Sequence, residues 1–139
     1  MNDDQMVERI KDAYATGDMQ RFGEMMSEMG DENTVVEWPQ SGERMRGIAN
    51  VIGANENYGE HTGNSPRAKL RRILKPGDAW VIESTIDYGD GTPVSAISIV
   101  ELGPNGKVAR QTDYFANPFP APEWRSKWVE RMEEPAAVR

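Results

Sequence analysis

The chain has 139 residues, of which 37% are hydrophobic, and its 23 acidic and 16 basic side chains give a formal charge of -7. This length predicts one domain over residues 1–139, and the acidic surplus disfavours nucleic acid and anionic membranes as partners because phosphate binding needs a basic face. Since there is no cysteine and the only histidine is His61, disulfides and thiolate metal sites are excluded, and a histidine-based metal site is disfavoured.

Two amphipathic helices are predicted at the start of the chain. Asn2 and Gln5 have the spacing of a capping pair before a first helix over residues 3–15. Its apolar face carries Met6, Val7, Ile10, Ala13 and Tyr14. A break at residues 16–18 precedes a second helix, which Gly30 ends. Its apolar positions, three and four residues apart, are Met19, Phe22, Met25, Met26 and Met29.

A short strand and a third helix are predicted next. Residues 33–38 are rich in β-branched side chains and are closed by Pro39, which predicts a strand. Residues 42–47 form either a brief strand or a turn. The third helix follows, with Ile48, Val51 and Ile52 on one face, and Asn55 continues that apolar stripe.

Beyond residue 65 the pattern changes to strands joined by tight turns. The turn sequences are KPGD at 75–78, YGDGTP at 88–93 and GPNG at 103–106. They delimit four strands near residues 67–75, 79–88, 93–102 and 107–115, and connections this short predict antiparallel neighbours. The result is an α+β fold, with three N-terminal helices packed on a curved antiparallel sheet and a short helical tail over residues 121–139 that begins near Pro122.

Alternation along the strands leaves open which face of the sheet is inside. On the last strand Lys107, Ala109, Gln111, Asp113 and Phe115 are predicted to share one face. On the second long strand Glu83 and Asp87 oppose Trp80 and Ile82. Either the acids point to water and the aromatic set to the core, or the acids line a pocket and the apolar face meets a second subunit.

The basic cluster on the first long strand is predicted to be a solvated surface. Alternation places Lys69 and Arg71 on one face with Ile73, and Arg72 on the reverse face. A nucleic-acid platform would interleave aromatic side chains, and this strand has none.

Four stretches resemble the SnoaL-like branch of the nuclear transport factor 2-like superfamily: AYATGDMQRF, TVVEWPQSGERMRGIANVI, GDAWVIESTIDYGDG and NGKVARQTDYFANPF. The resemblance covers residues 3–120 and implies a cone-shaped fold, shared with ketosteroid isomerases and limonene-epoxide hydrolases, with a deep pocket between sheet and helices. It also implies a homodimer through the sheet. Because this fold hosts isomerases, cyclases, hydrolases and non-catalytic binding domains, the motifs specify the fold better than the reaction.

The resemblance implies an acid/base role for Asp113, which stands where SnoaL-type cyclases and epoxide hydrolases carry a last-strand carboxylate. Apolar walls such as Phe115 would strip the carboxylate of water and disfavour its charged form, so that it could exchange a proton with a carbonyl compound or with water. The expected function is therefore a cofactor-independent enzyme acting on a hydrophobic carbonyl or polyketide-like metabolite. The alternative is a non-catalytic binding or dimerisation module.

Other positions match the better-known enzymes less well. Ketosteroid isomerases carry their base just before a proline on the first strand, where this chain has Glu37 or Trp38. Glu37 is a second catalytic candidate or a strand-end glutamate paired with arginine, and Trp38 is a pocket wall or lid. The isomerase oxyanion pair falls on Ile10 and Ser98, which puts steroid isomerisation in doubt. The epoxide hydrolase arginine is absent, although Glu83 or Asp87 could still face the pocket.

The remaining candidates each have a structural alternative. Tyr14 and Asn55 are expected to contact ligand, or else to be a core phenol and a backbone-bonded amide. His61 lies in a loop that either borders the pocket or is merely solvated. In the tail, Phe119, Trp124 and Trp128 are too apolar to remain exposed and should cover the sheet or a partner subunit. No stretch is apolar enough to cross a bilayer, so a cytoplasmic protein is expected.

Overall fold

Three helices and a six-stranded sheet make up the fold. The structure is a computed structural model that describes residues 2–17, 19–57, 63 and 66–132. The elements in chain order are Asp3–Ala15 (α1), Met19–Met29 (α2), Val35–Trp38 (β1), Glu43–Arg46 (β2), Ile48–Glu56 (α3), Arg67–Leu74 (β3), Ala79–Asp87 (β4), Val94–Leu102 (β5) and Val108–Ala116 (β6). The three predicted helices and four long strands are confirmed, and the segment left open between strand and turn is the strand β2.

The curved sheet has the order β2-β1-β6-β5-β4-β3. Strands β3 to β6 form the predicted antiparallel meander. The prediction of a wholly antiparallel sheet is wrong, because β1 pairs with β6 in parallel. The short hairpin of β1 and β2 joins the edge of the meander there, and the buried Thr34 fixes its start by donating a 2.6 Å hydrogen bond to the Val108 carbonyl.

The helix boundaries follow from local chemistry. Asn2 and Gln5 form the predicted capping box, in which each side chain accepts a hydrogen bond from the other residue's backbone N–H. After α1 the chain turns at Gly17, whose φ of +72° suits glycine. A β-carbon there would lie 2.6 Å from the Ala68 carbonyl oxygen, so glycine also permits α1 to pack closely on β3.

The apolar core lies between α1 and the inner face of the sheet. Its buried members are Met6, Ile10, Trp80, Ile82, Val100 and Val108. Burying a large apolar side chain completely stabilises a fold by roughly 1.5–3 kcal/mol, so this cluster is the main link between the helix layer and the sheet.

Two β-bulges shift the alternation of side chains. In β3 the extra residue is Arg71, which lies between the pairs Leu70–Ser84 and Arg72–Glu83. Arg71 and Arg72 therefore both face outward, and the prediction that Ile73 shares a face with Arg71 is wrong, since Ile73 packs against the core.

In β6 the extra residue is Ala109, where the register shifts between Glu101–Arg110 and Leu102–Val108. The predicted face of the last strand is therefore correct for Gln111, Asp113 and Phe115 but wrong near its start. Val108, which strict alternation would place on the opposite face from Asp113, is buried and points inward.

The tail contains one short turn of 3-10 helix, Glu123–Arg125, among its described residues. The exposed fractions of Phe119, Trp124 and Trp128 are 69%, 74% and 73%. The prediction that these side chains cover the chain's own sheet is therefore wrong, and coverage of a partner subunit stays a prediction. None of the described helices has the length and apolarity needed to cross a bilayer.

Candidate functional site

A cavity of about 330 Å³ lies between the helices and the inner face of the sheet. Its wall is mostly apolar, with side chains from α1, α2 and α3 on one side and from all six strands on the other. On β6 the face that carries Asp113 lines the cavity, whereas on β4 the apolar face that carries Ile86 lines it. Neither of the two assignments left open by the sequence therefore holds for the whole sheet.

Asp113 is the only carboxylate among the described residues that line this cavity. Its exposed fraction is 9%, and its carboxylate accepts three hydrogen bonds. The indole Nε1 of Trp38 donates to Oδ2 at 3.0 Å. The Ser98 hydroxyl at 2.7 Å and the Gln111 amide at 3.0 Å both donate to Oδ1. All three donors are neutral, so the negative charge is held in place without being cancelled.

Burial removes water from around the Asp113 carboxylate, and the three donors replace the hydrogen bonds that water would have made. Sequence reasoning considered only the loss of water. The structure adds the donors, which orient both oxygens and keep a charged carboxylate tolerable beside apolar walls.

Tyr14 lies in the same cavity wall and remains a phenol over the whole ordinary pH range. Burial raises its pKa to about 12, the negative charge of Asp113 adds to this, and a hydrogen bond with Ser84 partly opposes it. The ring packs edge-on against Phe22, with centroids 4.5 Å apart. Tyr14 is thus a fixed, protonated group that can donate a hydrogen bond near Asp113.

Six of the nine predicted site residues line the cavity: Tyr14, Trp38, Asn55, Ser98, Asp113 and Phe115. Trp38 and Phe115 meet edge to face, with ring centroids 6.3 Å apart. The Asn55 amide nitrogen donates to the Val51 carbonyl of its own helix at 2.8 Å, which matches the structural alternative for this residue while leaving it in the wall.

The other three predicted residues, Glu37, Glu83 and Asp87, do not line the cavity, and the expectation that they face it is corrected. They alternate with cavity-facing residues and therefore point to the outer face of the sheet.

Each of these outward carboxylates is paired with arginine or accepts a hydrogen bond from the backbone. Glu37 lies 3.5 Å from Arg44 and 4.0 Å from Arg110, so the paired-glutamate alternative is confirmed. Glu83 bonds to Arg71 and Arg72, and Asp87 accepts from the Gly89 backbone in the turn.

Sequence reasoning missed two polar residues of the wall, Gln111 and Ser84. Gln111 is two residues before Asp113 on the same strand, and this spacing alone could have indicated the contact. Ser84 forms a hydrogen bond with the Tyr14 phenol, and no sequence pattern indicates this contact. His61 lies outside the described residues. Within the described part of the chain, no three His, Cys, Asp or Glu side chains form a metal ligand set.

Among protein families, curated sequences and solved structures, only solved structures match the chain. No protein-family model matches the chain, and no curated protein sequence matches it. A nuclear transport factor 2-like protein of unknown function from Burkholderia xenovorans is 33% identical, with a TM-score of 0.70, and the match covers 90% of this chain and 96% of that one.

Two more distant structures share the fold. A candidate ketosteroid isomerase from Kribbella flavida is 22% identical, with a TM-score of 0.71 and coverage of 94% of this chain and 95% of that one. A candidate SnoaL-like polyketide cyclase from Jannaschia sp. is 16% identical, with a TM-score of 0.64 and coverage of 81% and 85%. At these identities the likeness concerns the fold alone.

Proposed function

The chain belongs to the nuclear transport factor 2-like superfamily, and from this premise we propose that it is a cofactor-independent acid/base enzyme acting on an apolar carbonyl compound. The observation that carries the proposal is Asp113, a buried carboxylate held by three neutral donors at the wall of a largely apolar cavity. A carboxylate without a cationic partner can accept a proton, and the low dielectric of an apolar wall strengthens its interaction with an acidic C–H group.

The proposed step is removal of a proton from the carbon next to the carbonyl. The C–H bond breaks and its electron pair forms a carbon–carbon double bond, the π pair of the carbonyl moves to the oxygen to give an enolate, and an O–H bond forms on Asp113. Of the two carboxylate oxygens, Oδ1 accepts two hydrogen bonds from the described residues and Oδ2 accepts one, so Oδ2 has more capacity to take the proton. Tyr14 would donate to the enolate oxygen.

The fate of the proton or carbanion defines the reaction class. Return of the proton to a different carbon is an isomerisation, and attack of the carbanion on a second carbonyl is a cyclisation. The isomerase and cyclase names of the Kribbella and Jannaschia proteins support these two classes. Steroid isomerisation is not proposed, because the cavity-facing residue before Pro39 is Trp38 rather than a carboxylate.

A non-catalytic binding module is the second candidate function. The observation in its favour is that the described wall contains one carboxylate. Many acid/base enzymes use two titratable groups, one as the acid and one as the base, with different proton affinities. Such a module would bind the same apolar molecules and return them unchanged.

Deuterium exchange into 2-heptanone, followed by proton NMR in D₂O, separates the two functions. An enzyme should accelerate loss of the signals next to the carbonyl by about 10²–10⁴-fold over buffer, the range of positioned acid/base groups. Asp113→Asn should still bind the ketone, as measured by line broadening, and should lose the acceleration. Binding by both proteins with exchange at the buffer rate would instead establish the module.

We further propose that the protein is a homodimer formed through the outer face of the sheet. Ile97 and Tyr114 are opposite neighbours on β5 and β6, and 42% and 45% of their surfaces are exposed on that face. A paired aliphatic and aromatic side chain at the centre of a sheet can form the core of an interface between two copies.

Ile97→Lys should convert this dimer to monomer, because it would bury an unpaired charge at the interface. Sedimentation equilibrium measures the change in mass. Ala49→Lys, a substitution at an exposed residue of α3 in the helix layer, is the control and should leave the mass unchanged. A wild-type protein that is monomeric at high concentration would contradict the proposal.

A further inference from the structure

The cavity at Asp113 adjoins a second, smaller chamber of about 80 Å³ that lies against the buried core, between α1, α2 and the sheet. Six residues line both spaces: Tyr14, Phe22, Met26, Val36, Ser98 and Gln111. The two spaces are therefore neighbours across these six side chains. We call these six residues the ring, the larger space the outer chamber and the smaller space the inner chamber.

The inner chamber is suited to hydrocarbon. Beyond the ring its wall includes Met6, Ile10, Met25, Trp80 and Val100, and none of its described lining residues carries a charge. Each methylene moved from water into such a space raises affinity by about fourfold. Four of the inner chamber's lining residues are methionines, whose unbranched side chains adapt to different apolar shapes and can accommodate a flexible chain.

The ring is suited to an uncharged oxygen. Ser98 and Gln111 hold Asp113, and the phenol of Tyr14 stays protonated because its pKa is raised to about 12. Asp113 lines the outer chamber and does not line the inner one. Its negative charge repels carboxylates and phosphates, whereas a ketone oxygen can accept a hydrogen bond from Tyr14.

We propose that the two chambers connect at the ring, and that the ligand is an elongated neutral molecule with a carbonyl group at the ring and an unbranched hydrocarbon chain in the inner chamber. This inference rests on the proposed function in one respect, which is that the cavity at Asp113 binds the ligand. It adds the substrate class, a ketone whose chain length is selected by the depth of the inner chamber. The carbon next to the carbonyl then lies on the side of the ring where Asp113 stands.

A series of 2-alkanones from 2-butanone to 2-undecanone tests the proposal by calorimetric measurement of the dissociation constant. Affinity should rise by about fourfold for each added methylene until the inner chamber is full, and should then level off or fall. Affinity that is independent of chain length, or that rises without limit, would overturn the inference.

Two variants of the inner chamber make the test specific. Val100→Leu narrows the chamber and should move the optimum to a shorter ketone, whereas Met25→Ala widens it and should move the optimum to a longer one. A general loss of stability cannot move the optimum in opposite directions. Ala54→Leu in the wall of the outer chamber is the matched control and should change every affinity by a similar factor.

The outcomes separate this inference from the proposed function. If alkanones bind and exchange protons but all variants keep the same optimum, the inner chamber does not hold the chain while the acid/base proposal stands. If no alkanone of any length binds, both the chain-length inference and the proposed ketone function are rejected. If binding follows the predicted optima without proton exchange, the chamber inference holds and the enzyme proposal fails.

Discussion

The two faces of the sheet hold their carboxylates in opposite ways. On the inner face, Asp113 is 9% exposed and accepts hydrogen bonds from an indole, a hydroxyl and an amide, all neutral. On the outer face, Glu83 bonds to Arg71 and Arg72, and Glu101 bonds to Arg110 at 2.7 Å. The outer carboxylates are neutralised by arginines, whose own side chains are 37% to 61% exposed.

This difference indicates what each carboxylate can do. An arginine partner favours the charged form and removes the tendency to take up a proton, as the lowered pKa of Glu101 beside Arg110 illustrates. Neutral donors orient a carboxylate and leave its charge available to a nearby substrate. Proton chemistry is therefore expected on the inner face, while the ion pairs of the outer face are partly exposed and of small energetic value.

The largest expected effect on stability comes from Tyr14 on the inner face. Its pKa of about 12 lies above the ordinary value of 10.0, so the folded protein holds the phenolic proton more tightly than the unfolded chain does. The free energy of unfolding should therefore be independent of this group below pH 10 and should fall between pH 10 and 12, by up to about 2–3 kcal/mol.

Urea denaturation at several alkaline pH values measures this slope. Tyr14→Phe should remove it, whereas Tyr114→Phe on the outer face should retain it. An identical alkaline loss in the wild type and Tyr14→Phe would show that the phenol is not buried as described.

A smaller effect is expected from Ser98, which donates a 2.7 Å hydrogen bond to Asp113. Ser98→Ala should lower the free energy of unfolding by about 1–2 kcal/mol, because a hydrogen bond to a charged group is lost in a partly buried site. Ser95→Ala, three residues earlier on the same strand and exposed on the outer face, should change it by less than about 0.5 kcal/mol. Equal effects of the two variants would contradict the asymmetry between the faces.

The smallest effect is expected from Glu83 on the outer face. Glu83→Gln removes the ion pairs with Arg71 and Arg72, whose side chains are 37% and 61% exposed, and should cost less than about 1 kcal/mol at low salt. In 1 M NaCl the difference from wild type should vanish, since the Debye length is then about 3 Å. The cost of Ser98→Ala should not depend on salt in this way.

The sequence predicted the fold well because its signals are local. Helical spacing, the capping box and Gly- and Pro-rich turns each act within a few residues, and they predicted the three helices and the meander. Pairing between β1 and β6 joins residues more than seventy positions apart, and nothing in either strand indicates a parallel neighbour.

The site was predicted only in part, for two physical reasons. Alternation shows which side chains share a face but not which face is inside, so Glu83 and Asp87 were placed with the pocket candidates. A β-bulge inserts one residue and inverts the alternation beyond it, and neither Arg71 nor Ala109 carries a composition that signals this. Asp113 was placed correctly because it lies beyond the bulge, in a stretch that resembles a known family.

A direct test of the central claim is to neutralise one carboxylate on each face and compare proton exchange into 2-heptanone. Asp113→Asn and Glu83→Gln each replace a carboxylate by the matching amide with little change in shape. We expect Asp113→Asn to reduce the rate to that of buffer and Glu83→Gln to leave it within about twofold of wild type. Equal losses in both variants, or exchange that survives Asp113→Asn, would contradict the account.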